Sequence, residues 1–202
     1  MNKIQNELQK LSRRILNEIA FEVINPESKI PLGFKKHTRS ISWLAEQVIT
    51  QHLETNQKKY DLEFFETSKT DISVYDFKIK FKDIKELIYV NSKITWIQQK
   101  KQRNDMSSIK KLFKFYEEHK NVKLFYLIFP FEYFGPKGNK IKFLENVTCG
   151  EYIKMKDFYL NPRNEHLQAF YEVENVDRTY SEFLEIIKTK QKKGNKIFIR
   201  DL

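Results

Sequence analysis

Residues 73–95 read SVYDFKIKFKDIKELIYVNSKIT and decide how the middle of the chain folds. In the first half, apolar side chains alternate with charged ones, the apolar set being Tyr75, Phe77, Ile79 and Phe81. Such alternation is typical of a strand with one buried and one solvated face. Residues 83–86 predict a turn, and residues 87–95 predict a second, more apolar strand. The stretch therefore predicts an antiparallel hairpin.

Helices and further strands are predicted on both sides of this hairpin. A helix over residues 42–54 would bury one face, made of Trp43, Leu44, Val48, Ile49 and Leu53. After the hairpin, a helix capped by Ser107 or Ser108 runs to about residue 119. Residues 122–129 predict a central strand, 140–147 another strand, 179–190 a helix and 197–200 a short strand. The fold class is α/β, with a mixed central sheet flanked by helices.

Residues 1–202 are predicted to form one domain, because no repeat, linker or shift in composition divides them. An amphipathic helix at about residues 2–23 begins the chain. Its apolar stripe consists of Ile4, Leu8, Leu11, Ile15, Ile19 and Val23. The stripe would pack on the core or on a second subunit, so this helix is a candidate for dimerisation.

The composition indicates a folded, basic protein. Hydrophobic residues make up 40% of the chain and aromatics 14%, which excludes intrinsic disorder. The net charge of +10 suits a polyanion such as nucleic acid, or an anionic membrane surface. Apolar runs fall short of the ~20 residues of a spanning helix, and the N-terminus lacks a secretory signal. We expect a cytoplasmic protein with no membrane segment.

The cysteine and histidine residues limit which disulfide and metal sites the chain can form. Cys149 is the only cysteine, which excludes an intramolecular disulfide and predicts a buried structural thiol. The four histidines show no pair at zinc-ligand spacing. The sequence also lacks a glycine-rich phosphate loop and a Ser-His-Asp arrangement.

Polar residues in and before the hairpin suggest a phosphodiesterase site. Asn91 and Lys93 are two apart on one strand and share a face, and Asp71 precedes the neighbouring strand. Oxygen ligands can hold a divalent cation against a phosphate, and a lysine can orient the attacking water. The plainer alternative is that Asp71 is a turn residue and Lys93 a solvated strand lysine.

Asp71 followed by Asn91-Ser92-Lys93 resembles the motif of the PD-(D/E)xK nuclease superfamily. In that superfamily a preceding helix often carries a glutamate at the site, and Glu46 is placed for this role. Two later segments, residues 161–168 and 178–183, resemble the C-terminal part of type II restriction endonucleases. The resemblance covers roughly residues 39–190. It implies a PD-(D/E)xK core and a Mg²⁺-dependent homodimer of a restriction-modification system, cutting double-stranded DNA at a short palindrome.

By this resemblance the catalytic residues are Asp71, Asn91, Lys93 and Glu46, with Asp71 and Asn91 as metal ligands. Asn91 departs from the motif, which has Asp or Glu at this position, and an amide is a weaker ligand for a hard cation. The asparagine is either a natural variation or an engineered substitution. Alternatively, Asp71, Glu46 and a phosphate oxygen hold the metal, and Asn91 positions water.

Basic and amide side chains in several segments are candidates for DNA contact. Lys and Arg neutralise phosphates, while Asn and Gln can pair with adenine in the major groove. The candidates are Lys35, Lys36, Arg39, Gln99, Lys100, Lys101, Gln102, Arg103, Asn104, Arg163, Asn164, Gln168 and Arg178. Solvated surface is the alternative for Lys35, Lys36 and Arg39, and a solvated loop is the alternative for residues 99–104. For Arg178 the alternative is a structural cap or salt bridge of the helix that begins at residue 179.

Two other functions compete with the restriction endonuclease. The first is a non-cleaving, sequence-specific DNA-binding protein that kept the nuclease fold and lost its metal site at Asn91. The second is a basic RNA-binding or ribosome-associated protein, which accounts for the charge but not for the Asp71, Asn91 and Lys93 pattern.

Overall fold

A computed structural model describes residues 3–19, 38–70, 73–97, 103–119, 121–134, 140–170 and 174–193. Four helices are described: α1 (Lys3–Glu18), α2 (Thr38–Thr55), α3 (Ile109–Glu118) and α4 (Tyr180–Lys193). The strands of the central sheet are β1 (Leu62–Thr67), β2 (Phe77–Phe81), β3 (Ile88–Trp96), β5 (Lys123–Phe134), β6 (Lys140–Phe143) and β7 (Thr148–Glu151). A second sheet contains β4 (Arg103–Ser108), β8 (Phe158–Asn161) and β9 (His166–Phe170).

The central sheet is mixed and follows the order β1-β2-β3-β5-β6, with β7 also paired to β5. β2 and β3 form the predicted antiparallel hairpin, in which Phe77 pairs with Val90 and Ile79 with Ile88. β3 and β5 run parallel along nine residue pairs, connected through β4 and α3. The α/β class and the mixed central sheet flanked by helices are thus confirmed.

Two hydrophobic clusters lie on opposite faces of the sheet, because successive strand residues point to opposite sides. On β5, Phe125, Leu127 and Phe129 join the cluster formed with α1 and α2. Leu124, Tyr126 and Ile128 join the cluster formed with α3, α4 and the second sheet. The central strands are therefore covered on both faces, as is typical of parallel strand pairs.

The ends of the chain follow the sequence prediction in part. The stripe of α1 is buried in the chain's own core at Ile4, Leu8, Leu11 and Ile15, so the core alternative is the observed one. A use of α1 in dimerisation stays a prediction. Val23 and the predicted strand at 197–200 lie outside the described residues. Within the described part of the chain, no helix is long and apolar enough to cross a membrane.

The prediction for the buried face of α2 was wrong at two positions. Ala45, Ile49 and Leu53 are buried, whereas Trp43 and Leu44 are 61% and 38% exposed. At about 100° per residue, the i, i+4, i+8 spacing of the buried set fixes the inner face, and Trp43 lies about 200° from Ala45. The three buried residues fix how the helix is rotated against the core, so Trp43 and Leu44 stay exposed although they are apolar.

The strand predicted at 140–147 is β6, which already ends at Phe143, and a separate strand, β7, begins at Thr148. They are separated by an exposed turn at Glu145 and Asn146, and Leu144 N–H donates to the carbonyl of Pro130. Both strands pair with β5, at different positions along its length.

The α3 prediction is confirmed, because the side chain of Ser108 accepts the N–H of Lys111 as the cap. Cys149 is buried, and burial raises the pKa of its thiol.

Gly150 of β7 faces the phenol ring of Tyr126 so closely that an added Cβ would overlap it. We expect Gly150→Ala to destabilise the protein by about 2 kcal/mol, because overpacking strains a dense core. Thermal unfolding should show a melting temperature lower by roughly 4–8 °C. Tyr126→Phe removes the nearest atom and should recover part of this loss. An unchanged melting temperature for Gly150→Ala would contradict this packing.

Candidate active site

The second half of β3 has an edge that β2 does not cover. β2 begins at Phe77, which pairs with Val90, while β3 continues to Trp96 in pairing with β5. Asp76 lies where β2 begins, and its N–H donates to the carbonyl of Val90 at 2.9 Å. Its carboxylate reaches across the open edge, where Oδ2 accepts the N–H of Ser92 at 2.5 Å. A carboxylate is therefore fixed beside the Asn91-Ser92-Lys93 segment.

Lys93 completes an ion pair with this carboxylate. Its Nζ lies 3.8 Å from Asp76 Oδ2 and donates to the carbonyl of Ser92 at 2.9 Å. Both side chains are partly exposed, so the ammonium and the carboxylate remain accessible to a ligand. The pair places one positive and one negative group at the open edge of β3.

Glu46 approaches the same place from α2. Burial raises the pKa of its carboxyl to about 7, and the nearby charge of Asp76 also raises it. The charge of Lys93 and a hydrogen bond from the N–H of Ile94 lower the pKa and offset part of this shift. Three ionisable groups from α2, the start of β2 and β3 therefore converge. Glu46 and Asp76 line a cleft of about 390 Å³, together with Gln47, Thr50, Gln51, Glu54, Thr67, Ser68, Thr70, Ser73 and Tyr75.

We expect Glu46→Gln to stabilise the protein increasingly as the pH rises from about 4.5 to about 7. The folded pKa of about 7 lies above the ordinary value of 4.5, so the folded protein binds this proton more tightly than the unfolded chain does. The wild type therefore loses stability across this interval, and glutamine removes that loss. Above pH 7 the gain should level off at roughly 3 kcal/mol, about 6–12 °C in melting temperature.

Melting curves of both proteins between pH 4 and pH 8 check this expectation. Gln47→Glu, next along the exposed side of α2, is the matched control and should show no such rise. A constant difference between Glu46→Gln and the wild type would mean that Glu46 is not desolvated.

Asn91 is 3% exposed and holds two backbone segments together. Its Nδ2 donates to the carbonyl of Val74 at 2.7 Å and to that of Met106 at 3.1 Å. Carbonyl oxygens only accept, so the amide nitrogen must face them. Among the described residues Asn91 Oδ1 has no hydrogen-bond partner. The amide nitrogen thus has a structural role, and metal binding through Oδ1 stays a prediction.

Several predicted site residues lie outside the described residues: Asp71, Lys35, Lys36, Gln99, Lys100, Lys101 and Gln102. Arg39 lies in the first turn of α2. The structure instead adds Asp76, a carboxylate that sequence reasoning assigned to the solvated face of the hairpin. The one feature of the sequence that could have pointed to Asp76 is its position at the beginning of the alternating stretch, seventeen residues before Lys93.

The other candidate DNA contacts gather around the second sheet. Arg103 and Asn104 begin β4, and Arg163 and Asn164 lie in the exposed turn between β8 and β9. Gln168 of β9 donates to Asp105 Oδ1 at 2.5 Å, and the guanidinium of Arg103 lies 4.1 Å above the ring of Tyr159. The sheet adjoins the site, because Met106 of β4 accepts from Asn91.

Arg178 makes structural contacts of another kind than the helix cap or salt bridge that was its alternative. Its guanidinium donates to the carbonyl of Met155 and lies 5.9 Å and 5.8 Å from the ring centroids of Phe158 and Phe183. Burial lowers the pKa of this guanidinium. A DNA contact by Arg178 stays a prediction.

Neither the protein-family models nor the curated proteins show what this chain is similar to. No protein-family model matches it, and no curated protein matches its sequence. The function must therefore be inferred from the side chains at the site.

Proposed function

We propose that this protein is a Mg²⁺-dependent type II restriction endonuclease with a PD-(D/E)xK core, which hydrolyses double-stranded DNA at a short, symmetric sequence. The observation that carries the proposal is the convergence of Glu46, Asp76 and Lys93 at the open edge of β3. Two acids that line a cleft, with a lysine paired to one of them, are groups that phosphodiester hydrolysis requires.

The donor set fits magnesium. Within the described ranges no cluster of three or more His, Cys, Asp or Glu side chains is placed to hold a metal ion. Mg²⁺ is commonly bound by one or two carboxylates together with waters and substrate phosphates, so Glu46 and Asp76 suffice as its protein ligands. Bound there, the ion would supply Lewis-acid polarisation of the scissile phosphate. By the resemblance, Asp71 would be a further ligand.

Lys93 supplies the remaining chemistry. Its ammonium, held by Asp76 and the carbonyl of Ser92, would orient the attacking water and offset the negative charge that develops on the phosphate. Glu46 would bind metal as a carboxylate, and its pKa of about 7 means that binding must displace a proton at neutral pH. Asp76 would hold Lys93 and the metal on the same side of β3.

The order of elements supports the nuclease core. α2 is followed by the three antiparallel strands β1, β2 and β3, and then, after β4 of the second sheet, by α3 and by β5, which is parallel to β3. Glu46 lies on the helix before the hairpin, as the resemblance requires. The net charge of +10 suits a DNA substrate.

A non-cleaving DNA-binding protein is the second candidate. The observation that favours it is Asn91, which stands at the acidic position of the motif and whose amide is committed to two backbone carbonyls. Such a protein would keep the fold and the basic surface without productive metal binding.

Incubation with linear phage DNA and Mg²⁺, followed by electrophoresis, tests the proposal. Discrete fragments that disappear with EDTA are the expected result. Sequence-selective mobility shifts without cutting would replace the enzyme by the binding protein, and preference for RNA over DNA would refute both.

A symmetric target also predicts a homodimer, because a two-fold protein matches a two-fold DNA sequence. Light scattering should then give about twice the chain mass of 24.5 kDa. A protein that remains monomeric on its DNA would contradict this part of the proposal.

A further inference from the structure

Trp43 is the most exposed large hydrophobic residue among the described side chains, at 61%. The chain has only two tryptophans, and the other, Trp96, packs against the core. An indole has a large flat apolar face and one N–H donor, and such groups are common where one surface meets another. Its position on α2 indicates which surface it meets.

Helical spacing puts Trp43 on the same face of α2 as residues that line the cleft of the candidate site. Residues three and four apart on a helix share a face, which places Trp43 one turn before Glu46 and Gln47. Farther along the same face, Thr50 and Glu54 also line the cleft. Trp43 therefore continues the α2 wall of the cleft beyond Glu46. Leu44, its exposed neighbour, lies about 100° away around the helix.

A substrate bound as proposed would bring a base to this indole. One helical turn advances 5.4 Å, and one nucleotide step in a DNA strand advances 3.4 Å. A phosphate held by Lys93, and through Mg²⁺ by Glu46 and Asp76, would thus lie one to two nucleotides from Trp43. Bases present a flat π-face that stacks on aromatic side chains, and apolar side chains can enter unstacked base steps.

We infer that Trp43 stacks on a DNA base beside the cleaved phosphate, and so helps to position the strand in the cleft. This inference rests on the proposed function, because it needs DNA in the cleft. It assigns to α2 a binding role beyond its contribution of Glu46. Stacking on one base corresponds to a roughly 10-fold or larger effect on affinity.

Tryptophan fluorescence tests the contact directly. Trp96→Phe leaves Trp43 as the only indole, and its emission and acrylamide quenching are followed as linear phage DNA is added in EDTA. We expect emission to change and acrylamide accessibility to fall as the DNA binds. In parallel, anisotropy of labelled DNA fragments should show roughly 10-fold weaker binding for Trp43→Ala. Trp43→Phe should retain most of the affinity, and Leu44→Ala, the matched control, should retain all of it.

The outcomes separate this inference from the proposed function. DNA binding with unchanged Trp43 emission, and with equal affinity for Trp43→Ala, would overturn the inference and leave the nuclease proposal standing. Absence of DNA binding by anisotropy would overturn both. Trp43 could instead be shielded from acrylamide before DNA is added, and Trp43→Ala could change the protein from dimer to monomer. These two results together would assign Trp43 to a contact between copies of the chain and overturn the inference.

Discussion

Asp76→Asn is expected to reduce Mg²⁺-dependent cleavage of duplex DNA by at least about 1000-fold. The substitution removes one of two carboxylates available to the metal and the partner of Lys93, so the charges that stabilise the transition state are lost together. The fold should survive, because the amide oxygen of asparagine can still accept the N–H of Ser92. Single-turnover rates on a phage DNA fragment measure the loss.

Asp61→Asn is the matched control for this variant. Asp61 pairs with Arg14 and Lys82, and it has a left-handed backbone that asparagine tolerates. It should cut as fast as the wild type. DNA affinity measured in EDTA should stay within a few-fold for Asp76→Asn. Retained cleavage by Asp76→Asn would remove Asp76 from the site.

Asn91→Asp is expected to lower the free energy of unfolding by about 3 kcal/mol. The carbonyls of Val74 and Met106 would lose a donor and face a buried carboxylate instead. Leaving buried polar groups unpaired costs about 1–3 kcal/mol each, and a buried charge costs more. Thermal unfolding should show a melting temperature lower by roughly 6–12 °C.

This variant also decides what the asparagine does at the site. The resemblance alone would suggest that an aspartate restores a metal ligand and raises cleavage, whereas the observed hydrogen bonds predict no gain. Asn146→Asp, in the exposed turn between β6 and β7, is the matched control and should melt like the wild type. Faster cleavage by Asn91→Asp, with a larger stabilisation by Mg²⁺ than in the wild type, would make position 91 a metal ligand.

Local signals in the sequence were sufficient for much of the central sheet. The alternation at 77–81 and the apolar run after it specify a hairpin, and the cap at Ser108 specifies where α3 begins. Each signal is carried by residues close together in the chain, where periodicity and capping act. Lys93 and Glu46 of the candidate site were also proposed from the sequence, because the resemblance places them on defined elements.

The remaining features depend on contacts between distant residues. β4 has the sequence RNDMSS, which lacks a strand period, and it is a strand because β9, more than fifty residues later, pairs with it. Asp76 joins the candidate site because β2 begins beside it and leaves the second half of β3 uncovered by β2. Asn91 holds Val74 and Met106 through bonds that no local pattern specifies.

The central claim is that Lys93 acts at the reacting phosphate, and single-turnover cleavage by Lys93→Ala in Mg²⁺ tests it most directly. Lys78→Ala is the matched control, because both lysines are ion-paired and similarly exposed, at 23% and 21%. We predict at least about 100-fold slower cutting by Lys93→Ala, with DNA affinity nearly unchanged, and wild-type cutting by Lys78→Ala. Equal rates for Lys93→Ala and the wild type, or no cutting by the wild type itself, would contradict the account.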